Sequence, residues 1–174
     1  MKNALKDAKS DELKKIGEII ERAEVAMIST VDRLGHATSR PMQVQEVTTN
    51  GTLWFFATGD GALAHQVNED SYLHLTFSDP GRNAHLSARG HASQVMDRSK
   101  MEELWHPSLK TWFEDGLDTP DICLLRIDLL EVEYWESPSS PVTKFAGFVK
   151  SMFGDNSIKN LETAQNHEHV RITH

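Results

Sequence analysis

Between Val25 and Trp135 the chain is cut into strand-length pieces by clusters of turn residues, and this rhythm limits the fold more than any other feature. Val25 to Val31 is short, apolar and partly β-branched, as a strand requires. Asp32-Arg33-Leu34-Gly35 supplies turn chemistry, and His36 to Val47 runs back as the second arm of a hairpin. Pro41 falls inside that arm and cannot donate to a ladder, so it marks a bulge or an edge. Asn50-Gly51 is the strongest hairpin signal and leads into the bulky run Leu53-Trp54-Phe55-Phe56-Ala57-Thr58. Tyr72 to Ser78, Ala84 to Val95 and Ile122 to Trp135 complete the strands, with Gly90 placed to allow sharp coiling.

Helices are expected around and between these strands. Ser10 is placed to cap the first, ahead of Asp11 and Glu12, and Leu13, Ile16, Ile20 and Ala23 form its apolar stripe. A short helix follows Gly59-Asp60-Gly61, from Ala62 to about Glu69. Asp97 caps another that holds Met101, Leu104 and Trp105. Pro107 opens a further turn that carries Trp112 and Phe113 and ends at Glu114-Asp115-Gly116. Val142, Phe145, Val149 and Met152 lie on one stripe of a last helix, which packs on the barrel or across a dimer, and the polar remainder from Asp155 reads as an extended tail. The pattern is mainly β with peripheral α: an antiparallel barrel with helical decoration. A length of 174 residues fits one domain, with a helix over 1–24, a barrel over 25–136 and a helix and tail over 137–174.

Charge and cysteine usage narrow the function. The net charge of −8, with acidic residues spread along the chain, argues against a nucleic-acid or anionic membrane surface. Cys123 is the single cysteine and sits in the apolar run Ile122-Cys123-Leu124-Leu125, which reads as a buried structural thiol. The N-terminus lacks the apolar core of a signal peptide, and no apolar stretch approaches the roughly 20 residues that span a bilayer, so the cytoplasm is the expected compartment. The histidines are scattered without a metal-ligand spacing; His167, His169 and His174 read as part of a solvated tail, and no metal is expected. No P-loop, Rossmann glycine pattern or nucleophile elbow is present.

Several blocks resemble the general stress proteins related to pyridoxamine 5′-phosphate oxidase. They are Leu104-Trp105-His106-Pro107-Ser108-Leu109-Lys110-Thr111-Trp112-Phe113, then Leu124-Leu125-Arg126-Ile127 followed by Glu133-Tyr134-Trp135. Arg40-Pro41-Met42 with Trp54 to Thr58, Ala64-His65-Gln66-Val67 and His169-Val170-Arg171-Ile172 add to them in the same order. Together they cover most of the chain from about Glu24. The resemblance implies a six-stranded antiparallel split β-barrel and a homodimer holding FMN in two clefts at the dimer interface. It implies that Arg40, Pro41 and Met42 on one strand, and Phe56, Ala57 and Thr58 on another, cradle the flavin. Gly61 and Leu63 would border it at the start of the next helix, and Trp112 and Phe113 either wall the cleft from the partner subunit or pack under a loop.

Two departures from that family bear on function. Relatives commonly carry a Ser and a Lys, often with an Arg between them, to bind the FMN phosphate; Gly61, Ala62 and Leu63 stand there. The oxidase places a substrate-phosphate Lys where this chain has Gln45, so authentic pyridoxamine phosphate oxidase activity is not expected. The reading is an FMN-binding, flavin-oxidoreductase-like stress protein in which no residue is identified as acid or base. The alternative is a non-enzymatic binding or sensing protein that has lost FMN affinity, and haem binding is a third option without a ligating His to support it.

Overall fold

The computed structural model describes residues 2–136 and 166–172. Helix α1 (Lys2–Ala23) places Ile16, Ile19 and Ile20 on one buried stripe against the sheet. It begins well upstream of Ser10, which lies inside it rather than at its cap. The helix formers Ala4, Leu5, Lys6 and Ala8 account for the extension. The chain leaves α1 through Glu24, whose N–H donates to Ile20 O at 3.0 Å.

Among the described residues eight strands follow rather than six: β1 (Val25–Val31), β2 (Ala37–Gln43), β3 (Glu46–Val47), β4 (Thr52–Thr58), β5 (Tyr72–Asp79), β6 (Ala84–Val95), β7 (Ile122–Glu136) and β8 (Asn166–Arg171). One extra strand arises because the expected arm from His36 to Val47 breaks at Val44 and Gln45 into β2 and β3. The other is β8, which corrects the expectation of an extended tail. It pairs with β7 from Glu136↔Asn166 to Glu131↔Arg171, and the alternating Val170 and Ile172 are buried there. Helices α2 (Ala62–Glu69) and α3 (Arg98–Leu104) interrupt the strands. Asp97 caps α3 by accepting from Lys100 N at 3.1 Å, and Trp105 lies just past its end. The 3₁₀ turn Pro107–Thr111 stops one residue before Trp112. The expected helix from Val142 to Met152 lies outside the described residues. No helix among the described residues is long and apolar enough to cross a membrane.

The sheet runs β2-β1-β5-β6-β7-β4-β3, with antiparallel pairing throughout and β8 alongside β7. Its two end strands, β2 and β3, are neighbours in sequence, so the sheet curls round until one stretch of chain belongs to both of its ends. Pro41 sits on β2, the edge strand, where a missing N–H is tolerated. Sharp curvature comes at Gly90, where the β6–β7 register shifts. A Cβ there would lie 2.7 Å from Asp128 O, so the strands cross at a separation only glycine permits.

Alternating residues fill the barrel, among them Ile28, Leu53, Phe55, Leu75, Leu125 and Ile127. The opposite faces of β4 and β7 are covered too, by a second cluster in which Phe56, Ile122 and Leu124 meet Met101, Leu109 and Phe113. Burial on both sides explains why these two strands read as continuous apolar runs rather than alternating ones. Helix α1 is further held by Arg22, whose Nε donates to Asp79 Oδ2 at 2.9 Å at the end of β5. The Arg22 hydrogen bond holds the Asp79 carboxyl below the usual carboxylate range, helped by the N–H of Arg82.

Gly90→Ala is expected to destabilise the fold by about 1–3 kcal/mol through overpacking, measured as a shift in denaturant midpoint. Asp79→Asn tests the clamp on α1. A carboxyl depressed in the folded state stabilises above its unfolded value of about 3.9, and that contribution is lost as pH falls through the lower folded value. The stability gap between wild type and Asp79→Asn should therefore be full near neutral pH and close under strong acid. An unchanged gap across that range would show that the carboxylate is not the clamp.

Candidate functional site

The break between β2 and β3 creates an opening in the barrel wall. β2 pairs with β1 from Val31↔Ala37 to Val25↔Gln43, and its other edge has no strand beside it among the described residues. The Val44 N–H then donates to Glu24 O and the Gln45 N–H to Trp54 O, each at 2.8 Å. β3 pairs with β4 only at Leu53 and Trp54, so Phe55 to Thr58 bond β7 on one side and keep an open edge on the other. These two edges bound a cleft of about 690 Å³.

All nine residues singled out in the sequence line this cleft within one chain, Trp112 included, which was expected to reach it from the partner subunit. Arg40, Pro41 and Met42 come from the open edge of β2. Phe56, Ala57 and Thr58 come from the open end of β4. Gly61 and Leu63 border it at the start of α2, and Trp112 stands at its mouth, 75% exposed. Sequence reasoning missed Val25, Thr38, Gln43 and Leu109, which also face the opening. Thr38 and Gln43 flank the Arg40 block on an edge strand that presents both faces to the cleft, a placement visible only once β2 is known to be an edge. Leu109 belongs to the 3₁₀ turn and supports the loop beneath Trp112.

Arg40 supplies the charge in this cleft. Its Nη2 donates to Gln66 Oε1 at 2.8 Å and to Thr30 Oγ1 at 3.2 Å. Thr30 in turn donates to the same Gln66 oxygen at 2.6 Å. Burial pushes the guanidinium below its usual value, but an arginine stays protonated. No carboxylate pairs with it among the described residues. A partly desolvated cation held only by neutral groups favours an anion.

The turn into α2 adds to this. A Cβ on Gly61 would lie 2.8 Å from Thr58 Oγ1 and 3.1 Å from Thr58 O, so a larger residue there would displace the Thr58 hydroxyl. Gly61 is the N-cap and offers no side chain to the first N–H groups of α2, and the first turn of the helix holds no acidic residue, Asp60 lying just before the cap. Those donors and the positive end of the helix dipole therefore remain available at the rim. The rest of the lining is apolar or amide, and none of the described lining residues is Asp, Glu, His, Lys or Cys. Cys123 is fully buried elsewhere and burial pushes its thiol up. Among the described residues no three His, Cys, Asp or Glu side chains gather to hold a metal.

Comparison with known proteins places this geometry. A family model described as pyridoxamine 5′-phosphate oxidase like matches residues 11–159. Protein bli-3 of Neurospora crassa is 25% identical over 131 residues, covering 70% of this chain and 63% of that protein, so the chain spans less than two thirds of that relative. The crystal structure of a Clostridium acetobutylicum protein related to general stress protein 26 of B. subtilis superposes with a TM-score of 0.64 at 20% identity, over 73% of this chain and 89% of that one. The general stress FMN/FAD binding protein of Xanthomonas citri superposes with a TM-score of 0.61 at 28% identity, over 73% of this chain and 92% of that one. The family match begins in α1 and runs past β7, taking in every element that surrounds the cleft, and the protein therefore belongs to the pyridoxamine 5′-phosphate oxidase-like family of split barrels.

Proposed function

We propose that this protein is a cytoplasmic, homodimeric flavin-binding stress protein that holds FMN in the cleft between the open edges of β2 and β4. The observation that carries the reading is the cleft itself, with apolar walls, unpaired strand edges and one uncompensated cation, Arg40. A flavin ring needs apolar faces, here Met42, Phe56 and Leu63, and backbone groups along its polar rim, here the two edges. Arg40, Thr58 and the first N–H groups of α2 are the donors for its phosphate. They stand in for the Ser and Lys side chains that Gly61, Ala62 and Leu63 replace.

When bound, the flavin would supply electron or hydride transfer. The protein's own residues bind, orient and exclude water. Because the described lining carries no acid or base, a reaction that needs protein-borne proton transfer is disfavoured, and so is hydrolysis. Gln45, at the rim, offers a substrate phosphate no charge, which argues against pyridoxamine phosphate oxidation.

The dimer is supported by exposed apolar side chains beside the cleft. Val25, Met27 and Val31 share the outer face of β1, with Trp112 projecting from the loop near Val25. A second copy seated there would cover them and close the mouth. A second reading, a binding protein that has lost FMN affinity, is favoured by the Gly61-Ala62-Leu63 replacement alone.

Titration with FMN is expected to quench flavin fluorescence and to raise the melting temperature. At 100 times the dissociation constant, the gain is about 2.7 kcal/mol. Arg40→Ala should weaken FMN about tenfold to a hundredfold while sparing riboflavin, the loss of one charge-assisted contact. No optical or thermal response to FMN rejects the flavin reading, and equal stabilisation by riboflavin favours the second. Met27→Glu should shift the sedimenting species from dimer to monomer; a wild-type monomer at micromolar concentration removes the dimer from the proposal.

A further inference from the structure

We infer that Gln66 is a positioning residue that holds Arg40 toward the cleft without neutralising it, and so sets the preference of the site for a phosphorylated ligand. This rests on the flavin reading above and adds a specificity determinant to it.

The three partners come from three elements: Thr30 from β1, Arg40 from β2 and Gln66 from α2. Their hydrogen bonds form a closed ring. Gln66 Oε1 accepts from Arg40 Nη2 at 2.8 Å and from Thr30 Oγ1 at 2.6 Å, and Thr30 Oγ1 accepts from Arg40 Nη2 at 3.2 Å. Arginine has only donors, so the amide must present its oxygen to this ring and turn its NH₂ away. Thr30 is buried, 3% exposed, which fixes the base of the ring. Both of the bonds that Arg40 makes in the ring leave from Nη2, so Nε and Nη1 keep donors for a ligand.

The neutrality of this arrangement is unusual in a chain of net charge −8. Among the described residues the guanidinium groups of Arg22, Arg33, Arg89, Arg98 and Arg126 each meet a carboxylate, and that of Arg82, like that of Arg40, does not. At Arg40 the corresponding partner is an amide, one atom type away from glutamate. A glutamate would accept the same two hydrogen bonds with the same side-chain length, and its charge would compete with an incoming phosphate. An amide orients the guanidinium and leaves its charge for the ligand.

The test compares FMN and riboflavin on the full chain, with inorganic phosphate as a second probe. Gln66→Glu should weaken FMN at least about tenfold, or about 1.4 kcal/mol, and leave riboflavin within about twofold. Gln66→Met keeps the length and helix propensity but removes the acceptor, and it should produce a smaller loss confined to FMN. Equal losses for both flavins would mean that Gln66 merely supports the fold, and an unchanged FMN-to-riboflavin ratio in both variants would also overturn the inference. If wild type binds neither flavin yet is stabilised by phosphate, and Gln66→Glu abolishes that stabilisation, the flavin reading falls and the role of Gln66 stands. If wild type responds to neither flavin nor phosphate, both fall.

Discussion

The exchange of partners at Val44 and Gln45 is the constraint on which the rest of this molecule depends. A single strand could have closed the barrel by pairing with β1 or with β4 along its whole length. Instead the chain gives seven residues to β1 and two to β4. The crossing costs little, because both linking N–H groups keep acceptors, Glu24 O and Trp54 O. What it leaves is a pair of diverging edges with exposed backbone groups. Such edges invite other strands. Pro41 removes one donor from the β2 edge, and Arg40 on the same edge discourages apolar association, so the opening stays a cleft instead of zipping shut.

Keeping that gap open requires a stiff frame around it. β7 supplies one side of the frame, because β6 lines one of its edges while β4 and then β8 share the other. Gly90 lets β6 bend over β7 at close range, and Arg22 fastens α1 across the end of β5. The second apolar cluster performs the same service for the loop carrying Trp112. Phe56 contacts Trp105 edge-on with ring centroids 5.5 Å apart and Phe113 at 6.0 Å. An exposed Trp112 therefore stands on a packed base, and its position at the mouth is fixed by residues on the opposite face of β4.

Much of this was legible in the sequence. The bounds of β1, α2 and β6 follow from alternation and turn residues, and the cap at Asp97 and the turn opened by Pro107 from local chemistry. The nine cleft residues were found through resemblance, since no periodicity links Arg40 to Thr58 or Trp112. The strand break was hidden because Gln43 to Val47 has no glycine or turn dipeptide; only tertiary pairing divides it. β8 was missed because one apolar pair, Val170 and Ile172, is a weak signal without the waiting edge of β7. Ser10 has cap chemistry, but the helix formers upstream carry α1 past it. Gln66 belongs to one of the family-like blocks, and its bond to Arg40 is a long-range contact that sequence spacing does not encode.

Gly61, Ala62 and Leu63 put no cationic side chain at the start of α2, so the proposed flavin site would draw its binding energy from elsewhere. One charge-assisted hydrogen bond to phosphate contributes about 1.5–3 kcal/mol. Burying about 100 Å² of apolar surface contributes about 2.5 kcal/mol. A wall built from Met42, Phe56, Leu63 and Trp112 can thus offset a lost phosphate contact, provided the ring is enclosed on both faces. That enclosure is what an exposed Trp112 and an uncovered β1 face lack in a single chain. Under the proposed reading, a weaker phosphate grip would place more of the binding on closure of the mouth by a second copy, and ligand affinity would depend on assembly.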